Sequence, residues 1–263
     1  MNSGVYIPLS GALVQEKRLE VLANNLANVN TAGFKKDRPA FENVLLESME
    51  PVPDGELLKL ISYDPLSLSI YDINRTLPSF DGIRTDFSEG IFKETGNPLD
   101  LALAGDGFFC VVTPQGIMYT RNGSFTLDSQ GVLVTQEGLP VLGENSGEIT
   151  ITGGGDVTIR TDGTIKVDGI EVDRLRIVDF EKPYPLEKMG NSMFSCTEPL
   201  GEEKEVIDAK VKQGFIEHSN VNVMREMAMM IELNRTYESY QKVIHTVYDT
   251  TIHKAVNEVG RLT

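Results

Sequence analysis

The C-terminal part of the chain carries the pattern that most restricts its fold. From Met230 to Thr251, apolar side chains recur in alternating steps of three and four residues, which is the spacing of a coiled-coil seam. A run of helix-capping residues at positions 219–222 precedes the pattern. We therefore predict one helix of roughly 37 residues, reaching about Val259 and ~55 Å long at 1.5 Å per residue. No single compact core requires so long a helix.

A second helical pattern opens the chain, from about Ser3 to Val29. Its apolar residues lie on or near one stripe, and they are Leu9, Leu13, Leu19, Leu22, Leu26 and Val29. The end of this helix is rich in Asn, which is a mediocre helix former because its amide competes for nearby backbone groups. Two interpretations remain open. The amides either cap a solvated helix end that Gly33 terminates in a left-handed conformation, or they fix register against a partner helix.

We expect the two terminal helices to pair as a coiled coil, either parallel or antiparallel, and their seams also to meet helices of neighbouring subunits. The N-terminal helix would contribute the apolar and amide residues near its end, and the C-terminal helix would contribute its seam. The expected assembly interface consists of Leu22, Asn24, Asn25, Leu26, Asn28, Asn30, Phe34, Met230, Leu233, Tyr237, Tyr240, Ile244 and Val247.

The middle of the chain has a different pattern. Residues 36–80 contain five prolines and predict an extended connecting arm. From 81 to 215, short apolar strands alternate with turn signals, including an Asn122-Gly123 hairpin signal, which predicts an antiparallel barrel or a sandwich-like domain. The expected fold class is α+β. Its parts are an N-terminal helix with the Asn-rich motif (1–35), the arm (36–80), the β domain (81–215) and the C-terminal helix (216–263).

Composition excludes several classes of partner. The 263 residues carry a net charge of −15, which argues against nucleic acid and against an anionic membrane surface. No run approaches the roughly 20 apolar residues of a membrane span, and we expect no cleavable signal peptide, because the early apolar run precedes Lys17 and Arg18. Cys110 lies in an apolar strand and predicts a buried thiol; a disulfide to Cys196 remains open.

No motif selects a reactive site. Two of the three histidines, His245 and His253, are eight residues apart, which is too far for a metal-binding pair on one helix turn. The glycines at 153–155 lack the Lys of a phosphate-binding loop. We therefore expect no enzyme activity, no cofactor, no metal and no small-molecule substrate. The alternative is an enzymatic or carbohydrate-binding β domain that carries a helical oligomerisation handle.

Four segments, in order along the chain, carry a family resemblance: residues 23–35, 105–109, 119–125 and 213–222. Together they resemble the flagellar basal-body rod, hook and hook-associated family. The length, the single β domain, and the segments Gly4-Val5-Tyr6 and Pro140-Val141-Leu142-Gly143-Glu144 resemble the proximal rod members. The distal rod members are the alternative.

The resemblance implies a structural subunit of the rod that transmits torque in the periplasm. It implies export through the flagellar type III apparatus without a cleaved signal, and assembly with copies of itself and other rod proteins. It also implies that the terminal helices form the inner tube. Heterologous contacts that do not close generate such helical filaments.

Overall fold

A computed structural model of the chain describes residues 3–45, 76–152, 155–196, 202–206 and 209–259. The central part of the predicted arm, 46–75, lies outside the described residues. The described residues form two compact units. The helical unit takes those within 1–26, 37–85 and 223–263, and the β unit takes 27–36 together with those within 86–222.

Two helices and a two-stranded ribbon form the helical unit. Helix α1 spans Ser3–Ala27 and helix α2 spans Val223–Val259, so the predicted length of the C-terminal helix is confirmed. Strands β1, Asp37–Leu45, and β2, Thr76–Thr85, pair antiparallel, with a change of register between Ala40 and Phe41. The ends of the predicted arm are therefore an ordered ribbon.

Fifteen short strands form the β unit. They are β3 Phe92–Glu94, β4 Leu101–Ala104, β5 Phe108–Thr113, β6 Gly116–Thr120, β7 Phe125–Leu127, β8 Leu133–Thr135, β9 Val157–Ile159, β10 Thr164–Val167, β11 Ile170–Arg174, β12 Ile177–Asp179, β13 Leu186–Gly190, β14 Met193–Cys196, β15 Lys204–Glu205, β16 Lys210–Gln213 and β17 Phe215–Glu217.

The prediction of a barrel or sandwich-like β domain is wrong. The largest sheet has the order β13-β14-β6-β5-β12-β15, and its two end strands do not pair with each other. The other strands of this unit form one three-stranded sheet, β11-β10-β9, and three two-stranded ladders, β16-β4, β17-β3 and β7-β8. A barrel requires one sheet to close on itself, whereas the strands of this unit, two to six residues long, are divided among several separate sheets.

Strand β5 lies at the centre of the β unit and is covered on both faces. Phe109 and Val111 belong to one apolar core, and Phe108 and Cys110 belong to another. Successive side chains of a strand point to opposite faces, so an uninterrupted apolar run is what a strand between two cores requires. The second core is largely aromatic, with the Phe108 and Phe194 rings 5.8 Å apart in an edge-on arrangement.

The predicted coiled coil between the terminal helices is also wrong. Among the described residues, Leu9 of the predicted stripe is 39% exposed, whereas the polar Ser10 and Gln15 are buried. The two helices approach each other at Gly11: a Cβ added there would lie 2.6 Å from Cζ of Tyr240. Knobs-into-holes packing needs a regular apolar seam on both helices. The buried residues of α1 instead mix apolar side chains, such as Val14, Val21 and Leu22, with polar ones, Ser10, Gln15 and Asn25.

The prediction of a hairpin at Asn122-Gly123 is also wrong, because the strands on its two sides do not pair with each other. Strands β6 and β7 belong to different sheets, and the Asn122 side chain accepts a hydrogen bond from the Ser124 amide at 3.1 Å. This Asx turn redirects the chain from one sheet to the next. A Cβ at Gly123 would lie 1.7 Å from the Leu101 carbonyl oxygen, so the redirected chain passes too close to β4 for any side chain.

Within the described ranges, no helix combines the length and the apolar character needed to cross a bilayer.

The two cysteines are not joined in a disulfide, and their environments predict different reactivity. Cys110 is fully buried, and burial raises the pKa of its thiol to about 12, whereas Cys196 is half-buried. Because the thiolate is the reactive form, we expect N-ethylmaleimide at pH 8 to modify Cys196 and to spare Cys110 in the folded protein. Mass spectrometry of the labelled peptides measures this, with urea-unfolded protein as the control. Equal labelling rates in the folded state would contradict it.

Candidate functional site

The Asn-rich N-terminal segment ends by burying a lysine in the β unit. The Lys35 side chain is 1% exposed, and its Nζ donates hydrogen bonds to Glu217 Oε1 at 2.6 Å and to the Ser88 carbonyl at 2.8 Å. Burial lowers the pKa of the Lys35 ammonium, and the Glu217 carboxylate opposes that shift. A buried charge is tolerated only when it is paired and hydrogen-bonded, so these partners determine whether Lys35 can remain inside.

Glu217 is shared among three groups. Its Oε1 also accepts a hydrogen bond from the Gly90 amide at 2.7 Å, and its Oε2 lies 3.6 Å from Nη1 of Arg121. Glu217 and Arg121 are both buried. We call Lys35, Arg121 and Glu217 the junction cluster. It places two bases and one acid in the interior of the β unit.

Arg121 is held mainly by backbone and by an aromatic ring. It donates to the carbonyls of Leu103 and Gly105, at 3.4 and 2.9 Å, and its Cζ lies 5.1 Å from the centre of the Phe108 ring. A guanidinium over an aromatic face gains cation–π attraction. Arg121 is therefore a fixed positive charge beside the Lys35–Glu217 pair.

Gly33 allows the N-terminal segment to approach closely. Its φ is +66°, and a Cβ there would lie 2.2 Å from the Asn122 backbone nitrogen. Its amide donates to the Glu217 carbonyl at 2.8 Å. The predicted left-handed conformation is confirmed, but it does not end the helix, because α1 already stops at Ala27. The glycine instead permits backbone-to-backbone packing that no side chain would allow.

Asn220 joins three chain segments with one amide. Its Oδ1 accepts from the Lys36 amide at 2.7 Å, and its Nδ2 donates to the carbonyls of Asp86 and Ser88 at 2.8 and 3.1 Å. Beside it, the Asp86 amide donates to the Lys36 carbonyl at 2.9 Å. An Asn amide can both donate and accept, which is why a single side chain can satisfy three backbone groups, on Lys36, Asp86 and Ser88.

Phe34 packs beside this cluster. It is buried, and Nζ of Lys188 lies 4.1 Å from the centre of its ring and donates to the Lys35 carbonyl. The predicted interface residue Phe34 thus has a role inside the β unit.

The four segments that carry the family resemblance meet at this cluster. Lys35, Arg121 and Glu217 each belong to one of them, and Gly105 and Phe108 of the fourth contact Arg121. The sequence indicated the segments but not the pairing of their charges. One feature of the sequence could have indicated the cluster. Lys35, Arg121 and Glu217 are each the only Lys, Arg, Asp or Glu residue in their segment.

The Asn residues of α1 differ in their surroundings. Asn25 is 2% exposed and bonds twice to the backbone of Asp37, donating to its carbonyl and accepting from its amide, both at 2.8 Å. Asn24 and Asn30 are exposed, and Asn28 is half-buried. Asn25 therefore fixes the first residue of β1 to the end of α1 within the chain. Leu22 is buried and Leu26 is half-buried.

Arg18 makes the next contact along the same side of α1. It lies seven residues before Asn25, and its Cζ is 4.6 Å from the centre of the Phe41 ring in β1. Gly11, which faces Tyr240, lies seven residues earlier still. Residues seven apart share a helix face, so one line of α1 meets both β1 and α2.

Helix α2 has two apolar faces. The six predicted seam residues are all half-buried, and they are Met230, Leu233, Tyr237, Tyr240, Ile244 and Val247. On the opposite side, Met224, Met227 and Ile231 are 78%, 48% and 56% exposed. Their spacing of three and four residues places them on one side of the helix. We call these three residues the outer apolar face.

Three separate parts of the chain match known families. Residues 6–35 match the family described as Flagella basal body rod protein. Residues 102–167 match Flagellar hook protein FlgE/F/G D1 domain, and residues 212–251 match Flagellar basal body rod FlgEFG protein C-terminal. The matched parts cover most of α1, the centre of the β unit and most of α2.

Full-length relatives agree. The flagellar basal-body rod protein FlgF of Caulobacter vibrioides is 32% identical over 263 residues, covering 100% of both chains. FlgF of Rhizobium meliloti is 32% identical, covering 99% of both chains. FlgG of Bacillus subtilis is 33% identical, covering 98% of this chain and 99% of its own.

An N-terminal helix, a β unit and a long C-terminal helix, each matched in order, define a modular structural protein of the flagellar rod and hook class. The chain belongs to the flagellar basal-body rod protein family. It is a structural component of the flagellar basal body, resembling FlgF. Because its relatives are structural rod proteins, the prediction that it is not an enzyme is confirmed.

Replacing Gly33 by Ala should open the contact with the turn at Asn122. The left-handed conformation costs a non-glycine residue about 1–2 kcal/mol, and the new Cβ also meets backbone that cannot move aside. We expect the free energy of local opening at the Lys36 amide to fall by about 2 kcal/mol or more. Hydrogen exchange measures it. Gly138→Ala is the control, because Gly138 has φ +81° with nothing within 4 Å of the added Cβ, and it should leave Lys36 unchanged.

Replacing Asn25 by Ala should release the start of β1. The change removes both hydrogen bonds to Asp37 in a buried position, which costs about 1–3 kcal/mol. We expect faster hydrogen exchange at the Asp37 amide. Lys17→Ala, which removes an exposed ion pair with Glu20 on the same helix, should change it by less than about 0.5 kcal/mol. Equal effects of the two variants would show that the Asn25 bonds do not fix β1.

Proposed function

We propose that this chain is a proximal rod subunit that assembles helically, with copies of itself and with other rod proteins, through its terminal helices. The distal rod subunit is the alternative, since FlgG relatives match at similar identity. In this proposal the flagellar type III apparatus exports the chain without a cleaved signal, and assembly takes place in the periplasm.

The outer apolar face of α2 is the observation that carries the assembly proposal. Met224, Met227 and Ile231 lie on one side of the helix and are each about half exposed or more. A monomeric protein rarely exposes adjacent large apolar side chains, and such patches mark interaction sites. The half-buried seam on the other side of α2 supports the same proposal, because its members retain surface that another helix would cover.

The N-terminal residues of the predicted interface divide into two groups. Asn24, Leu26, Asn28 and Asn30 are exposed or half-buried, and in the proposal they contact neighbouring subunits. The others, Leu22, Asn25 and Phe34, are buried in the single chain, and they would act by holding the first group in position. Amide side chains can select register between helices because each both donates and accepts.

The proposal is tested by placing charge on the outer apolar face. We expect Met224→Lys combined with Ile231→Lys to abolish rod assembly and swimming, because a lysine buried without a partner in a helix interface is strongly disfavoured. Both positions are exposed in the single chain, so helix content and thermal unfolding of the purified protein should not change. Swimming on soft agar and isolation of basal bodies measure assembly.

The matched control places two lysines elsewhere on α2, as Glu232→Lys with Gln241→Lys. Both residues are exposed and lie outside the outer apolar face. We expect this control to swim. Normal swimming by the Met224→Lys, Ile231→Lys variant would contradict the proposal.

A further inference from the structure

The junction cluster has properties that assembly through the helices does not explain. Lys35 and Glu217 are 182 residues apart in sequence, and their side chains are 1% and 0% exposed. Oε2 of Glu217 and Nε of Arg121 make no hydrogen bond within the described part of the chain. Burying an imperfectly satisfied ion cluster is unfavourable compared with apolar packing. A contribution to stability therefore does not explain why these charges are buried.

Lys35 requires Glu217, which is its only carboxylate partner within the described residues. Without Glu217, Lys35 would retain only the Ser88 carbonyl while lying next to the positive Arg121. Without Lys35, Glu217 would keep the Gly90 amide on Oε1 and the Arg121 guanidinium 3.6 Å from Oε2. Removal of one partner from a buried pair leaves an uncompensated charge, which is far worse than absence of the pair. The segment carrying Lys35 is therefore stable inside the β unit only when the segment carrying Glu217 is already in place.

The hydrogen bonds near the pair depend on the same condition. The Gly33 amide bonds to the Glu217 carbonyl, and the Lys36 amide bonds to the Asn220 side chain. Both acceptors belong to the segment that follows β16. A docked N-terminal segment without this partner segment would leave two further amides unsatisfied.

The two apolar cores do not depend on the pair. Neither core includes a residue from 27–36 or from 214–222. Arg121 has its own partners on β4 and Phe108. The two apolar cores can consequently remain packed while both segments are detached, although β3 would lose its partner strand β17.

We propose that the Lys35–Glu217 pair is a closing lock, which docks the segment 27–36 in the β unit only together with the segment 214–222. The lock makes the ordering of the chain before β1 conditional on the ordering of the chain before α2. These are the two segments that continue into the terminal helices, since α1 ends at Ala27 and α2 begins at Val223. The terminal segments thus become ordered as a pair, after the cores have formed.

Hydrogen exchange of the full chain, read by mass spectrometry, tests this lock. Glu217→Gln keeps the shape and removes the charge, and Lys35→Met keeps the length and removes the charge. We expect each single variant to speed exchange by at least about tenfold in peptides covering 28–36, 86–91 and 214–222. Exchange in β5 and β6 should not change. The double variant, Lys35→Met with Glu217→Gln, should recover much of the lost protection, because neither Lys35 nor Glu217 is then left charged without the other and Arg121 keeps the carbonyls of Leu103 and Gly105.

Lys182→Met is the control. It removes an ion pair with Asp106 of nearly the same length, 2.7 Å, whose side chains are 58% and 57% exposed, and it should leave exchange in the three segments unchanged. Two results would overturn the lock. One is faster exchange throughout the β unit in either single variant, which would make the pair an ordinary support of the whole unit. The other is additivity of the two single effects in the double variant, which would mean that the segments dock independently.

Discussion

The contact between the Lys35 ammonium and the Glu217 carboxylate is the interaction on which the docking of both terminal segments of the β unit, 27–36 and 214–222, depends. It joins the segment that follows α1 to the segment that precedes α2, and both side chains are out of reach of solvent. Around it, Gly33 permits backbone packing against Asn122, and Asn220 bonds to the segments at 36 and 86–88. A charge that must be paired to remain buried makes these contacts conditional on one another.

The interior of the β unit is organised by strand β5, whose two faces are both buried. The alternation of Phe108 and Cys110 with Phe109 and Val111 divides the interior into two cores. Short strands then leave the central sheet through turns, as at Asn122-Gly123, and form small ladders around it. The cores are therefore local and compact, while the charged junction is assembled from segments that are distant in sequence. The cores are held by apolar packing, whereas the junction cluster is held by buried charges and hydrogen bonds.

The sequence predicts those elements whose structure is decided by one periodic pattern. The capping residues at 219–222 and the three–four spacing from Met230 onward predicted the length of α2, and the apolar strand around Cys110 is observed as β5. The sequence does not predict which elements pack against each face of a helix. A leucine stripe on α1 did not predict that Ser10 and Gln15 would be buried while Leu9 stayed exposed, because burial depends on what each face meets. Periodicity also cannot show that Arg121 and Glu217, from separate motifs, share one cluster.

The chemistry of the outer apolar face has a consequence for the kind of neighbour it suits. Two of its three residues, Met224 and Met227, have unbranched and polarizable side chains with several rotatable bonds. Such side chains adjust to surfaces of different shape, whereas branched residues favour one complementary partner. In the proposed assembly with copies of itself and with other rod proteins, a subunit would meet unlike neighbours on its two sides. A pliable methionine surface would let the same helix form either contact without a change in its backbone.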